Sequence, residues 1–274
     1  MYARVRIEGR ELGVDLSRPL DLALELNFAG AQPRHFGAPR ASAREFTPPG
    51  SAFNGSVARG ASCNCEVITL IPHCNGTHTE CAGHLTRERL DAWRVAPTGL
   101  TPALLLSVVP EPAAGEGSEP APQAADRLIT RGSLERSWCN SAPFAPRALI
   151  IRTLPNSADK RVRDYTGETP PYLSREAAQL LVSRGILHLV VDVPSIDRAH
   201  DEGRLAAHHI FFGLPPTAVR LAAAARPDAT ITELAFVPDS ALDGFYLLEL
   251  QVPALSGDAV PSRPLLYPIA DPDK

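Results

Sequence analysis

The chain has 274 residues, 44% hydrophobic and 21% charged, enough to bury a core without a disulfide or metal staple. Its 27 Lys+Arg against 31 Asp+Glu give a formal charge of -4, so there is no basic excess to neutralise a phosphate backbone, and nucleic acid is set aside as a partner. No apolar run approaches the roughly 18 residues of a membrane span, and charges stand in the first fifteen positions where a signal peptide would be apolar, so the reading is a cytoplasmic protein with no membrane partner.

In chain order, residues 3–7 alternate apolar and polar positions and residues 11–16 follow after Gly9, the pattern of a hairpin. Residues 28–60 form a long loop in which Phe28, His35, Phe36, Phe46 and Phe53 stand among Pro, Gly and Ala. Phe28, Phe36 and Phe53 are candidates for lining a substrate pocket; the plainer reading is that they pin the loop to the core. Residues 65–71 are of strand length. Further on, residues 103–109, 148–154, 187–193 and 245–252 are short apolar runs bounded by Pro, Gly or charge, each a buried-strand candidate. Residues 110–125 (PEPAAGEGSEPAPQAA) have almost no large apolar side chain, so they cannot recover their ordering entropy and are predicted to be a flexible surface insertion. Residues 174–184 are the best helix: Ser174 can cap, Glu176 sits in the first turn, Ala177, Leu180 and Leu181 share a face, and Gly185 ends it. A helix running straight into a buried strand is an α/β signal. The 27 prolines, about twice the usual ~5% share, exclude an all-helical protein. There is no internal repeat.

Four of the five cysteines, Cys63, Cys65, Cys74 and Cys81, fall in one stretch instead of spreading as a disulfide framework would, and they read as reduced. Lys160 and Lys274 are the only lysines, which sets aside a lysine Schiff base. The informative segment is residues 72–85, PHCNGTHTECAGHL, with His73, Cys74, His78, Glu80, Cys81 and His84 directly after a strand. In extended chain His78 and Glu80 point to the same side. A carboxylate and an imidazole on one face, with more imidazoles at either end, is how a divalent cation with N/O ligands is gathered. Gly76 lets the backbone turn close to such an ion. The plainer reading is an ordinary polar loop, but three of the eight histidines fall here, and no C-x-x-C of a zinc finger is present. One loop seldom completes such a site, so remote ligands are sought in His208 or its neighbour His209 and in Glu233, each of which alone would read as structural.

The segment 76–84 resembles the H-x-G-T-H-x-D-x-P-x-H signature of the cyclase family, which includes bacterial kynurenine formamidase and isatin hydrolase. Downstream, residues 185–198 (GILHLVVDVPSIDR) are similar to that family's glycine, strand and D-x-x-S-x-D segment. His208 with Phe211 and Phe212 resembles its H-x-x-L-L, and Glu233 with Ile231 its strand ending in glutamate. Residues 242–269, with Gly257, Ser262 and Arg263, resemble its closing run. The resemblance covers most of the chain in the right order. It implies an α/β fold, a swivelling β/β/α domain with mixed sheets around a barrel-like core, as one domain over 1–274. It also implies a metal-dependent hydrolase of a C–N bond in a small amide, formamide or cyclic imide-like substrate. Carried over residue by residue, His73, His78, Glu80, His208 and Glu233 would hold Zn or Mn with Glu80 bridging, and His84 would be the general acid/base. The pocket would take Phe28, Phe36 and Phe53 and a neighbouring subunit, which implies a homodimer or tetramer.

Three departures mark this chain. Aligned without a gap, the family's first histidine falls on Cys74, so three options stand: His73 slips inward, Cys74 supplies a thiolate, or the position is lost. Glu80 replaces the usual aspartate and carries its carboxylate further out. The D-A-P turn becomes Glu80-Cys81-Ala82, without proline. The alternative function is therefore a metal-independent cyclase, dehydratase or isomerase of a small-molecule pathway, with His84 and Glu80 moving protons.

Overall fold

A computed structural model of the protein describes residues 1–139 and 143–270. The strands β1 (Tyr2–Ile7) and β2 (Arg10–Asp15) form the expected antiparallel hairpin. After the two-residue β3 (Leu20–Asp21), β4 (Ser42–Glu45) and β5 (Glu66–Thr69) pair antiparallel as a separate arm. There follow β6 (His78–Cys81), β7 (Leu100–Val108), β8 (Leu128–Ile129), β9 (Ala148–Thr153), β10 (Tyr172–Leu173), β11 (His188–Val191), β12 (Thr230–Glu233), β13 (Gly244–Gln251), β14 (Ala259–Pro261) and β15 (Arg263–Ala270). Four short helices intervene: α1 (Ala92–Val95), α2 (Arg131–Ser137), α3 (Arg175–Ser183) and α4 (Ala206–Phe212).

One large mixed sheet carries the order β1-β2-β15-β13-β7-β9-β11-β12-β6-β14, with β3 beside β15. Its middle strands β7, β9, β11 and β12 are parallel, and the rest pair antiparallel. Three of the four apolar runs read in the sequence are the parallel strands β7, β9 and β11, buried on both faces, while the fourth, residues 245–252, is the antiparallel β13. Alternation sorts them. Leu104, Leu106, Leu149, Ile151, Leu189 and Val191 pack under α2, α3 and α4, while Ala103, Leu105, Ala148, Ile150 and Val190 meet Tyr246, Leu248 and Leu266 on the other side. Truncating a fully buried leucine here to alanine would cost about 2–5 kcal/mol.

The sheet curls because its chain demands it. β14 stands at one end of the strand order and β15 third from the other end, yet Ser262 alone joins them. Pro261 faces His78 of β6, and two residues later Arg263 faces Gln251 of β13. The expected barrel-like core takes this form: a curled sheet tied by one continuous chain, with no closed ring of ladders among the described residues.

Helix α3 starts where the sequence places it, with the Ser174 hydroxyl accepting the Ala177 N–H at 2.9 Å and Gly185 at φ +75° behind it. The segment 110–125 buries no side chain, but polar groups seat it. The Glu116 carboxylate accepts the backbone N–H groups of Arg131 and Gly132 at the start of α2 and the Ser174 hydroxyl at the start of α3. Carboxylates at helix N-termini are stabilising, a source of order that apolar content does not report. All five cysteines are free thiols. Among the described residues no helix is long and apolar enough to cross a membrane.

Candidate metal centre

The chain enters the site through a 3₁₀ turn, Pro72–Cys74, with proline at its first position. Gly76 follows at φ +71°, where a side chain would be strained and would press into Leu26. The Thr77 hydroxyl donates to Leu234 O at 2.5 Å and accepts the Leu24 N–H at 2.8 Å, clamping the start of β6 to the end of β12. In β6, Thr79 points away and meets Thr232 at 2.7 Å. His78 and Glu80 therefore share the opposite face, which is the helix side of the sheet, since Glu80 stands across from the core residue Ile231. Glu233 stands directly across from His78, and α4 brings His208 over both.

The inner side chains converge. His208 Nε2 lies 2.7 Å from Glu80 Oε1 and 3.6 Å from Glu233 Oε1, and His78 Nε2 lies 3.5 Å from Glu233 Oε2. The ring of His78 donates from Nδ1 to Gly76 O at 3.1 Å, and that of His208 donates from Nδ1 to the Asp197 carboxylate at 2.6 Å. Both partners only accept, so each ring carries a proton on Nδ1 and turns its Nε2 inward. Asp197 also accepts the N–H groups of Ala207 and His208, which fixes α4 as well as the ring. Glu233 Oε1 accepts the Ile196 N–H.

The outer side chains are half-exposed. His73 Nδ1 is 2.9 Å from Glu80 Oε2, its Nε2 is 2.8 Å from Asp258 Oδ2, and His84 Nδ1 is 3.3 Å from the same oxygen. The His73 and His84 rings stack at 4.2 Å. His84 sits in a second 3₁₀ turn, Ala82–Leu85. Three overlapping sets of side chains bring their ligand atoms within a metal's reach: His73, His78 and Glu80; Glu80, His84 and His208; His73, His84 and Asp258.

Charge follows geometry. Burial pushes the Glu80 carboxyl up, but the charge of His208 and His84, with the close approach of the His208 and His73 rings, outweighs it and holds the group well below the usual range. Burial likewise disfavours charge on His73 and His208. The accepting carboxylates of Asp258 and Glu80 beside it raise His73 to about 10, and those of Glu80 and Asp197 raise His208 well above its ordinary value. Burial pushes the Cys74 thiol up, helped by Glu233, and the Cys81 thiol to about 12, so neither offers a ready thiolate.

The structure thus gathers His73, His78, Glu80, His84, His208 and Glu233, all expected from the sequence. His73 meets Glu80 at 2.9 Å and belongs to two of the three sets, while Cys74 belongs to none of them among the described residues. His208 faces the cluster while His209 does not. Phe28 and Phe36 are exposed and Phe53 is half-buried. Phe36 packs at a tilt against His35, ring centres 3.8 Å apart, and no aromatic contact joins the three to the clustered histidines among the described residues. Sequence reasoning missed Asp197 and Asp258. The first lies in the quoted S-I-D triplet, whose acidic residue precedes the helix that carries His208 and His209; the second follows Gly257 between two strands, a position with no local signal. The open cavity lined by Glu8, Arg10, Trp138, Phe144 and Arg184 shares no residue with the cluster.

The residues fit a divalent cation. His78 Nε2, His208 Nε2 and both Glu80 oxygens are buried and make no hydrogen bond of acceptable geometry, although they stand within contact of one another. Buried orphaned acceptors aimed at one point are costly unless something positive shares them.

No curated protein sequence matches the chain. Solved structures do. A potential metal-dependent hydrolase with cyclase activity superposes at a TM-score of 0.59 and 16% identity, over 91% of this chain and 97% of its own. An isatin hydrolase bound to the product analogue thioisatinate gives 0.60 and 15%, over 92% and 93%. Isatin hydrolase A from Labrenzia aggregata, bound to benzyl benzoate, gives 0.58 and 15%, over 91% and 93%. At such identities the likeness is one of fold. The sequence profile described as putative cyclase matches residues 14–198, which hold the His73–His84 segment and Asp197, while His208, Glu233 and Asp258 lie beyond it. With more than half of its length under that profile, the chain belongs to the putative cyclase family.

Proposed function

We propose that this protein is a metal-dependent hydrolase of a C–N bond in a small amide, formamide or cyclic imide-like substrate. The observation that carries the reading is the set of orphaned, converging acceptors on His78, Glu80 and His208. His73, His78, Glu80, His208 and Glu233 would hold the cation, Zn or Mn. A cation held there would supply a Lewis acid that acidifies water and polarises a carbonyl. Exposure supports a division of labour among the chain's own residues. His78, Glu80 and His208 are closed off, so substrate would approach over His73, His84 and Asp258. His84 would take a proton from the attacking water and return it to the departing nitrogen, the work of a positioned imidazole near neutral pH. Phe28, Phe36 and Phe53, in the loop leading to His73, would supply the apolar wall. Exposed Phe36 and Ile68 are apolar surface that a second copy of the chain would cover, consistent with a homo-oligomer.

The test is metal content and turnover together, on protein purified without a histidine tag, loaded with Zn or Mn and dialysed. At least one equivalent should remain, and a chelator should remove it together with hydrolysis of isatin, an N-formyl arylamine or a cyclic imide. Well under one equivalent, with chelator-insensitive turnover, would overturn the metal reading in favour of proton transfer by Glu80 and His84 alone.

A further inference from the structure

Among the described residues Asp258 is the one carboxylate within 4.0 Å of both outer histidines, and nothing in the residues that suggested the site pointed to it. Its place is fixed from both sides by main chain: its own carbonyl accepts the Cys81 N–H, and the carbonyl of Gly257 accepts the Ala92 N–H. It leads directly into β14, which pairs with the ligand strand β6. Its Oδ2 lies 2.8 Å from His73 Nε2 and 3.3 Å from His84 Nδ1. A carboxylate accepts and cannot donate, so His84 must carry its proton on Nδ1 and leave Nε2 bare.

We propose that Asp258 is a positioning residue for the proton-transfer step: it locks His84 in the Nδ1–H tautomer and, through the stacked His73 ring, sets the direction in which His84 Nε2 points. The proposal rests on the reading of His84 as proton carrier. It explains why a half-exposed imidazole in a short 3₁₀ turn is held at all, since no other side chain bonds to the His84 ring among the described residues. In a neutral imidazole the atom that accepts a proton from water is the one without hydrogen, and only Nε2 is left free to do so. Replacing the carboxylate by an amide allows that amide to donate to Nδ1, which stabilises the opposite tautomer and removes the basic nitrogen from the reacting side.

The experiment uses the zinc-loaded full chain with ¹⁵N-labelled histidine, comparing wild type, Asp258→Asn, Asp258→Glu and His84→Gln. Long-range ¹H–¹⁵N spectra, with the His84 signals assigned by their loss in His84→Gln, should show Nδ1–H in the wild type and the reverse or a mixture in Asp258→Asn. On isatin, or whichever member of the amide panel is turned over, Asp258→Asn should lower kcat about 100-fold with KM within about threefold, and Asp258→Glu should recover part of kcat. Zinc content should stay at the wild-type level. An unchanged His84 tautomer in Asp258→Asn overturns the proposal, as does loss of zinc, which would mean that the carboxylate acts through His73 as a ligand. Full turnover by His84→Gln would instead overturn the reading of His84 while leaving the tautomer result to stand.

Discussion

His78, Glu80 and His208 are at most 2% exposed, and each histidine among them is fixed by an acceptor outside the cluster, Gly76 O or Asp197. His73, His84 and Asp258 keep a quarter or more of their side chains in solvent and are fixed mainly by one another. The inner half is built on sheet and helix and the outer half on two 3₁₀ turns and the approach to β14. The difference separates two tasks: the rigid half suits holding an ion whose geometry must not move, and the open half suits meeting a substrate and passing a proton.

That division can be broken from either side. The largest effect should come from the outer half. His84→Ala should lower kcat about 10²–10⁴-fold while metal content and Tm stay near wild type, checked by steady-state kinetics beside metal analysis and thermal melting. Equal loss of metal would merge the two halves. On the inner side, Glu80→Gln keeps the shape and removes the charge, and zinc affinity should fall at least about 100-fold by competition with a chromophoric chelator. Glu80→Asp should also weaken zinc, because a shorter arm withdraws from His73 and His208 together. Asp197→Asn reaches the ion only through His208 and should cost about 10–100-fold in the same assay.

A buried histidine outside the cluster sharpens the contrast. Among the described residues the His188 ring bonds the Thr230 hydroxyl at 2.9 Å; burial, joined by the charge of Arg147 and offset only in part by Asp228, pushes it down to about 4. Its folded value lies below its unfolded value near 6.5, so the stability it supports is full above pH 6.5 and is lost as pH falls toward 4. Between pH 6.5 and 5 the wild type should lose about 2 kcal/mol that His188→Gln does not, read from urea unfolding. The smallest effect is expected far from the site. Glu116→Ala removes the shared acceptor at the starts of α2 and α3 and should cost about 1 kcal/mol, seen as a modest fall in Tm with metal binding unchanged.

Much of this was legible in the sequence for local reasons. The hairpin, the helix from Ser174 to Gly185 and the apolar strands are written in patterns a few residues long, and the His73–His84 segment is compact enough to betray its chemistry. Other features were not local. Whether His73 or Cys74 points inward depends on one 3₁₀ turn, which shifts a side chain by a residue without changing composition. His208 and His209 differ only in which side of α4 meets the sheet. Asp258 is 174 positions from His84, and their contact exists only because β14 lies beside β6. The segment 110–125 shows the converse limit: a composition that promises disorder says nothing of a glutamate placed at two helix starts.

The link through Ser262 has a consequence in time. The ligand strand β6 is made early in synthesis, but its two neighbours in the sheet, β12 and β14, are made 150 or more residues later. A ribosome emits these residues at about 5–20 per second, so β6 waits on the order of ten seconds without either neighbour. His78 and Glu80 are therefore synthesised long before Glu233 and the Asp258 that tethers His73 and His84. An ion taken up by these side chains would find them assembled only once β14 has been made, and a nascent chain stalled before β14 would expose His78 and Glu80 without Asp258 beside His73 and His84.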